Sequence, residues 1–215
     1  MEGLSPYQQF SELRSSKRIV ANLLKGKEFD SVLEVGAQWG ENLVAIREKF
    51  PDKKIVGIDK DWDGIIEEAK VVSQIDLREG DVFNLEFNDN EFDVVFTNAL
   101  FCMLQINEIE KGFQEIIRVA GKHIILIELE SDEFIGHAWG ERNGADWVKL
   151  FNKYNLKATR KKIPEKVWDV NPWLSKGYIY YAKKYSTYIP DSLHGENAEW
   201  RYYEPGVVRE TCAAI

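Results

Sequence analysis

The sequence predicts an α/β chain built on a doubly wound, mostly parallel seven-stranded sheet with helices on both faces. Two observations carry that prediction. Short apolar runs bounded by turn residues alternate with segments whose apolar residues recur every three or four positions, which is the pattern of βαβ units. The first of those runs feeds a turn, Val35-Gly36-Ala37-Gln38-Trp39-Gly40, at the connection where open α/β sheets usually meet a nucleotide.

The elements follow in order. Residues 31–35 form the first strand. Leu43, Ile46 and Phe50 fall on one helical face, and Pro51 ends that helix. Residues 54–58 are the second strand, and Ile65, Ile66, Ala69 and Val72 give a helix over 62–73. A short third strand lies near 75–78, a fourth over 92–97, a helix over 106–119 and a fifth strand over 123–129. Gly121 is expected to close that helix in the left-handed conformation, which costs glycine no Cβ clash. Beyond it, 145–154 reads as a helix, and 156–163 and 176–183 read as a hairpin closing one sheet edge, joined through PEKVWDVNPWLS. Ahead of the sheet, Phe10, Leu13, Ile19, Val20, Leu23 and Leu24 suit a helical cap. The expected organisation is a cap over 1–30, the sheet domain over 31–184 and an aromatic-rich extension over 185–215.

A chain of 215 residues with a formal charge of −8 presents an unfavourable field to a phosphate backbone, so nucleic acid is not the expected partner. Lys157, Arg160, Lys161, Lys162 and Lys166 form the one notable basic cluster, read as the solvated face of an edge strand. Two cysteines cannot build a disulfide framework, the N-terminus has no signal-peptide pattern, and no apolar run reaches the roughly 18 residues that a bilayer crossing needs. These features lead to an expectation of a soluble, cytoplasmic chain. The last residues, Cys212-Ala213-Ala214-Ile215, fit a prenylation pattern, but no polybasic stretch precedes them and no membrane anchor is expected.

The turn and its acids narrow the ligand. The dinucleotide fingerprint needs a middle glycine so that a pyrophosphate can approach the backbone, and Gln38 stands there instead. Glu34 just before the turn would repel phosphates yet suit an ammonium group. Asp59, 23 residues beyond Gly36 in KIVGIDKD, suits a carboxylate accepting both hydroxyls of a ribose. Asp81 in REGDVFNL could accept from an exocyclic amine while the Val82 N–H meets a ring nitrogen. Together they describe an adenosine bearing an amine and no phosphate chain.

With those residues in view, 31–130 resembles the class I S-adenosylmethionine-dependent methyltransferases. Their strand-one motif corresponds to Glu34-Val35-Gly36-Ala37-Gln38-Trp39-Gly40, followed by the acid Asp59, the pair Asp81-Val82 and the polar Asn98 in FDVVFTNAL. The resemblance implies a Rossmann-like methyltransferase fold and S-adenosyl-L-methionine as cofactor. It implies that Glu34, Gly36, Ala37, Gln38 and Gly40 hold the methionine part, Asp59 the ribose, and Asp81 and Val82 the adenine, with Asn98 beside the sulfonium and Lys60 among the cofactor-binding residues. Gln38 departs from the family's middle glycine, which implies a stiffer turn or a direct contact from Gln38.

The acceptor side is less defined. A sulfonium methyl is already activated, so the protein must mainly align the nucleophile and exclude water. The stretch after strand four, Asn98-Ala99-Leu100-Phe101-Cys102-Met103, holds no histidine. His137 is the candidate base, ahead of His123 and His194, and Phe101 and Trp139 are candidate acceptor walls. Glu128, Glu130 and Asp132 read as a solvated acidic loop, so no metal is expected. Seven tryptophans, nine tyrosines and eleven phenylalanines, among them Trp168, Trp173, Trp200, Tyr202 and Tyr203, would stack on a planar acceptor, fasten the tail or form a homodimer surface. The expected function is methyl transfer to an oxygen, nitrogen or carbon of a small molecule. The alternatives are an NAD-dependent oxidoreductase and a non-catalytic methyltransferase-like binding protein.

Overall fold

The computed structural model describes residues 15–60, 75–131, 135–137, 140–142, 144–165, 167 and 173–184. The expected helix over 62–73, the tail, Trp139, Trp168, His194 and the terminal Cys212 lie outside them.

A seven-stranded sheet forms as expected, in the order β3-β2-β1-β4-β5-β9-β8. Its strands are β1 (Ser31–Val35), β2 (Lys54–Asp59), β3 (Asp76–Glu79), β4 (Phe92–Asn98), β5 (Ala120–Leu129), β8 (Ala158–Lys162) and β9 (Gly177–Lys183). Strands β1 to β5 run parallel, whereas β9 is antiparallel to both β5 and β8. Chain order reverses between β1 and β4, and the carboxyl ends of those two strands flank the crevice that such a reversal creates. A separate two-stranded ribbon, β6 (Ile135–His137) with β7 (Gly140–Arg142), was not foreseen.

Alternation along the buried strands sends side chains to opposite faces. Val32, Val94, Phe96, Ile125 and Ile127 pack on one face with Val20 and Leu24 around α1 (Ile19–Leu23), and with Leu43 and Ile46 of α2 (Glu41–Lys49). Leu33, Val35, Val95, Ile124 and Leu126 pack on the other. There they meet Ile109, Phe113 and Ile116 of α3 (Ile106–Val119), and Trp147 and Phe151 of α4 (Trp147–Lys153). A short helix, α5 (Trp173–Lys176), buries Trp173 before β9, so this residue is core and no acceptor wall.

Gly121 requires a correction. It is the second residue of β5, not a left-handed helix cap, and a Cβ there would meet Asn90 O at 3.1 Å and Phe92 O at 3.3 Å. The end of α3 is satisfied by a cation instead: the buried Lys184 donates from Nζ to Ile117 O at 2.7 Å and Ala120 O at 2.8 Å, which also suits the negative end of the helix dipole. With its last carbonyls met by a side chain, the chain passes from helix to strand without a glycine turn. Of the basic cluster, Arg160, Lys161 and Lys162 lie on edge strand β8 as expected and stay largely solvent-facing, Lys157 immediately precedes it, and Lys166 lies outside the described residues. Among the described residues no helix is long and apolar enough to cross a membrane.

Candidate active site

Beyond the ends of β1, β2 and β4 lies a cleft of about 490 Å³, within the range of small-molecule and cofactor sites. Its lining includes Gly36, Gln38, Asp59, Lys60, Asp81, Val82 and Asn98, seven residues that the sequence nominates. They come from four separate stretches of chain, which only the parallel sheet brings to one place.

The first turn is held by β2. Gly36 and Ala37 both donate backbone N–H groups to Ile58 O at 2.8 Å, and Gln38 N donates to Asp59 Oδ2 at 2.7 Å. Gly36 and Gly40 are left-handed, with φ of 80° and 70°. Gln38 is left-handed too, at φ 45°, so it adopts the conformation that the missing glycine would take freely, with the Asp59 hydrogen bond to offset the steric cost. A Cβ on Gly36 would come within 2.9 Å of Leu100 Cδ1. On the opposite wall, Asp81 Oδ1 accepts from Phe83 N at 2.9 Å, while Lys60 Nζ stands 3.4 Å from Asp81 Oδ2.

Three nominated residues of the turn stay behind the wall. Ala37 and Gly40 are buried and shape the turn without lining the cleft. Glu34 is fully buried on β1, where its Oε1 accepts from Asn42 Nδ2 and its Oε2 has no partner. It therefore does not present a carboxylate at the cleft surface. Burial pushes the Glu34 carboxyl up to about 8, with the Asn42 hydrogen bond and the Lys17 charge opposing. A raised carboxyl favours the folded state fully below its ordinary value near 4.5, and that contribution is lost as pH climbs to about 8. Glu34→Gln removes the titration. Its stability relative to the parent chain is therefore expected to rise by a few kcal/mol between pH 4.5 and 8.5, as read from urea unfolding at each pH. A pH-independent difference would contradict the assignment.

Phe101 also requires a correction. It is fully buried, its ring 4.8 Å from that of Trp147, and it packs into the α3 and α4 layer because the turn after β4 directs it inward. The cleft wall after β4 is made instead by Leu100, Met103 and Leu104, with Glu108 beside them. Met103 is 60% exposed, and nothing in the sequence separates it from the buried Phe101. The turn is anchored by Glu128, buried at the end of β5, which accepts from Thr97 Oγ1 at 2.7 Å and Leu100 N at 3.0 Å. Burial pushes Glu128 up to about 7 against those hydrogen bonds. Glu130 takes hydrogen bonds from Tyr180 Oη and Arg160, so neither acid belongs to a solvated loop.

No histidine lines the cleft among the described residues. His137 ends β6, but its side chain lies outside the description. His123 sits near the start of β5, at the opposite end of the sheet, with Nδ1 3.0 Å from Tyr181 Oη. Lys17, missed in the sequence, also lines the cleft and pairs with Glu41 at 2.6 Å.

Residues 32–122 match the family described as a methyltransferase domain. No curated protein matches the chain by sequence. Among solved structures, a Burkholderia thailandensis 1,6-didemethyltoxoflavin N1-methyltransferase with bound 1,6-didemethyltoxoflavin and S-adenosylhomocysteine is 15% identical, with a TM-score of 0.62 over 80% of each chain. The magnesium protoporphyrin IX methyltransferase of Synechocystis PCC 6803, with bound S-adenosylhomocysteine, is 12% identical, with a TM-score of 0.62 over 86% of this chain and 90% of that one. A chain from the complex of a Haloferax volcanii methyltransferase activator with a methyltransferase is 14% identical, with a TM-score of 0.60 over 82% and 92%. These three likenesses are likenesses of fold. The chain therefore has the fold of these methyltransferases, and its residues 32–122 carry the match to a methyltransferase domain.

Proposed function

We propose that the cleft holds S-adenosylmethionine and that a small-molecule acceptor reaches its methyl group over Leu100, Met103 and Leu104. The observation that carries this reading is the convergence of Gly36, Gln38, Asp59, Asp81, Val82 and Asn98 on one cleft. Asp59 and Lys60 would take the ribose hydroxyls, and Asp81 with the Val82 N–H would take the adenine edge. The backbone from Gly36 to Gln38 would follow the amino-acid part, with the Lys17 ammonium beside its carboxylate. Asn98 would stand at the methyl end.

The cofactor supplies a methyl group already activated by positive charge on sulfur. The protein's own part is geometric: apolar Leu100 and Met103 exclude water, and Glu128 holds their turn in place. Transfer to an acceptor atom would return the carbon–sulfur pair to sulfur, and any proton on that atom would leave to solvent or to a base such as His137. An NAD-dependent oxidoreductase is the weaker reading, because Gln38 occupies the position where a pyrophosphate needs glycine.

The test is mass spectrometry of cell extract incubated with the protein and methyl-labelled cofactor. Label in a low-molecular-mass compound is the expected result, while label confined to protein or nucleic acid would overturn the small-molecule assignment.

A further inference from the structure

A second cavity lies outside the cleft. It is a groove of about 640 Å³ between α3 and α4, and among the described residues it shares no lining with the cleft. Ile106 and Ile109 from α3, with Ala145 and Leu150 from the α4 side, give it an aliphatic lining. Ile109 is buried, whereas Ile106 is 50% exposed, an apolar side chain that no described residue covers. The surroundings hold the groove open. Deeper between the two helices the Phe113 ring lies 4.8 Å from Phe151 and 5.8 Å from Tyr154, and Glu110 on α3 accepts from Lys153 Nζ and Tyr154 Oη. At the sheet end, a Cβ on Gly144 would come within 2.8 Å of Ser131 N and 2.9 Å of Leu129 O, so the segment entering α4 is pressed against the end of β5. Four charged side chains line the groove, and three are committed. Glu110 pairs with Lys153, and Asp146 caps α4 by accepting from Lys149 N. The fourth is Lys149, whose ammonium enters no ion pair among the described residues. It stands one helical turn from Lys153, a spacing at which like charges destabilise a helix.

We propose that this groove is a binding site for an apolar small molecule carrying one carboxylate, its body against Ile106, Ile109 and Leu150 and its charge on the Lys149 ammonium. The site stands apart from the cofactor reading above. Its volume falls within the range of small-molecule sites, and α4, with seven residues, extends only about 10 Å, too short a wall for a partner helix. A formal charge of −8 disfavours an anionic membrane surface. One uncommitted lysine, with no arginine among the described lining, suits a singly charged carboxylate, whereas a phosphate draws several donors at once.

Decanoate and decanol test the site, since they match in chain length and differ in charge. By calorimetry, the intact chain is expected to bind one decanoate saturably and about threefold to fivefold tighter than decanol, the effect of one exposed ion pair. Lys149→Met keeps an apolar stem and drops the charge, so it is expected to bring decanoate to the affinity of decanol. Lys149→Arg is expected to keep the difference. Ile106→Asp puts a carboxylate on the apolar wall and is expected to weaken both ligands roughly tenfold. Both side chains are exposed, so these variants are expected to fold like the parent chain, which thermal unfolding checks. Absence of saturable decanoate binding, equal affinity for decanoate and decanol in the intact chain, an unchanged preference in Lys149→Met, or unchanged affinities in Ile106→Asp would each overturn the proposal.

Discussion

Asp59→Ala is expected to weaken S-adenosylhomocysteine binding by about a hundredfold or more while the chain stays folded. Two losses combine in this substitution. The carboxylate fastens the first turn to the end of β2 through the 2.7 Å hydrogen bond from Gln38 N, and without it a left-handed glutamine has one restraint fewer. The same carboxylate is the proposed partner of the ribose hydroxyls, and each hydrogen bond to a charged group contributes roughly 1.5–3 kcal/mol. Asp59 sits at the partly exposed end of its strand, away from either apolar layer, so the sheet should survive. Calorimetric titration together with thermal unfolding checks both halves of the prediction. Retained micromolar affinity in a folded variant would contradict the site.

Trp147→Ala is expected to carry the largest stability cost, about 3–5 kcal/mol, as for other large-to-small changes in a packed interior. The indole is fully buried, lies 4.8 Å from the Phe101 ring and 6.0 Å from that of Phe113, and donates from Nε1 to Leu129 O at 2.9 Å. Removal therefore opens a cavity and takes the shorter of two hydrogen bonds from Leu129 O, which keeps only the one from Ala145 N at 3.4 Å. For a chain of this length the midpoint should fall by roughly 10 °C. Because Phe101 belongs to the turn that carries Leu100 and Met103, the cleft should loosen as well. A fall below about 1 kcal/mol, against the scale for buried large side chains, would mean that the α3 and α4 layer is not packed around this residue.

The central strands β1, β2, β4 and β5 were legible in the sequence because their burial is nearly continuous, and α3 because its buried residues recur at helical spacing. A run such as Phe92–Asn98, apolar and bounded by polar turns, has few other ways to hide its side chains. The acids were legible for a different reason: Asp59 and Asp81 follow strand ends, where a parallel sheet must expose whatever comes next. What failed was the direction of single side chains. Phe101 and Met103 are two apolar residues in one short turn, and only the fold decides that the first enters the core while the second stays at the surface. Gly121 misled because glycine after a helix usually marks a cap, whereas here a lysine 63 positions further along supplies the hydrogen bonds. Lys17 and Asn42 were invisible for the same reason, since their partners Glu41 and Asn98 become neighbours only through packing. Glu34 was seen but misplaced: its position before the turn was clear, and its burial behind Asn42 was not.

The central claim is that the first turn and its acids select an adenosine carrying an amino acid through sulfur over a phosphorylated coenzyme. Titration of the intact chain with S-adenosylhomocysteine and, separately, with NAD tests it most directly. The account predicts saturable binding of the first and none of the second at matched concentrations. Saturable binding of NAD with no response to S-adenosylhomocysteine would contradict it.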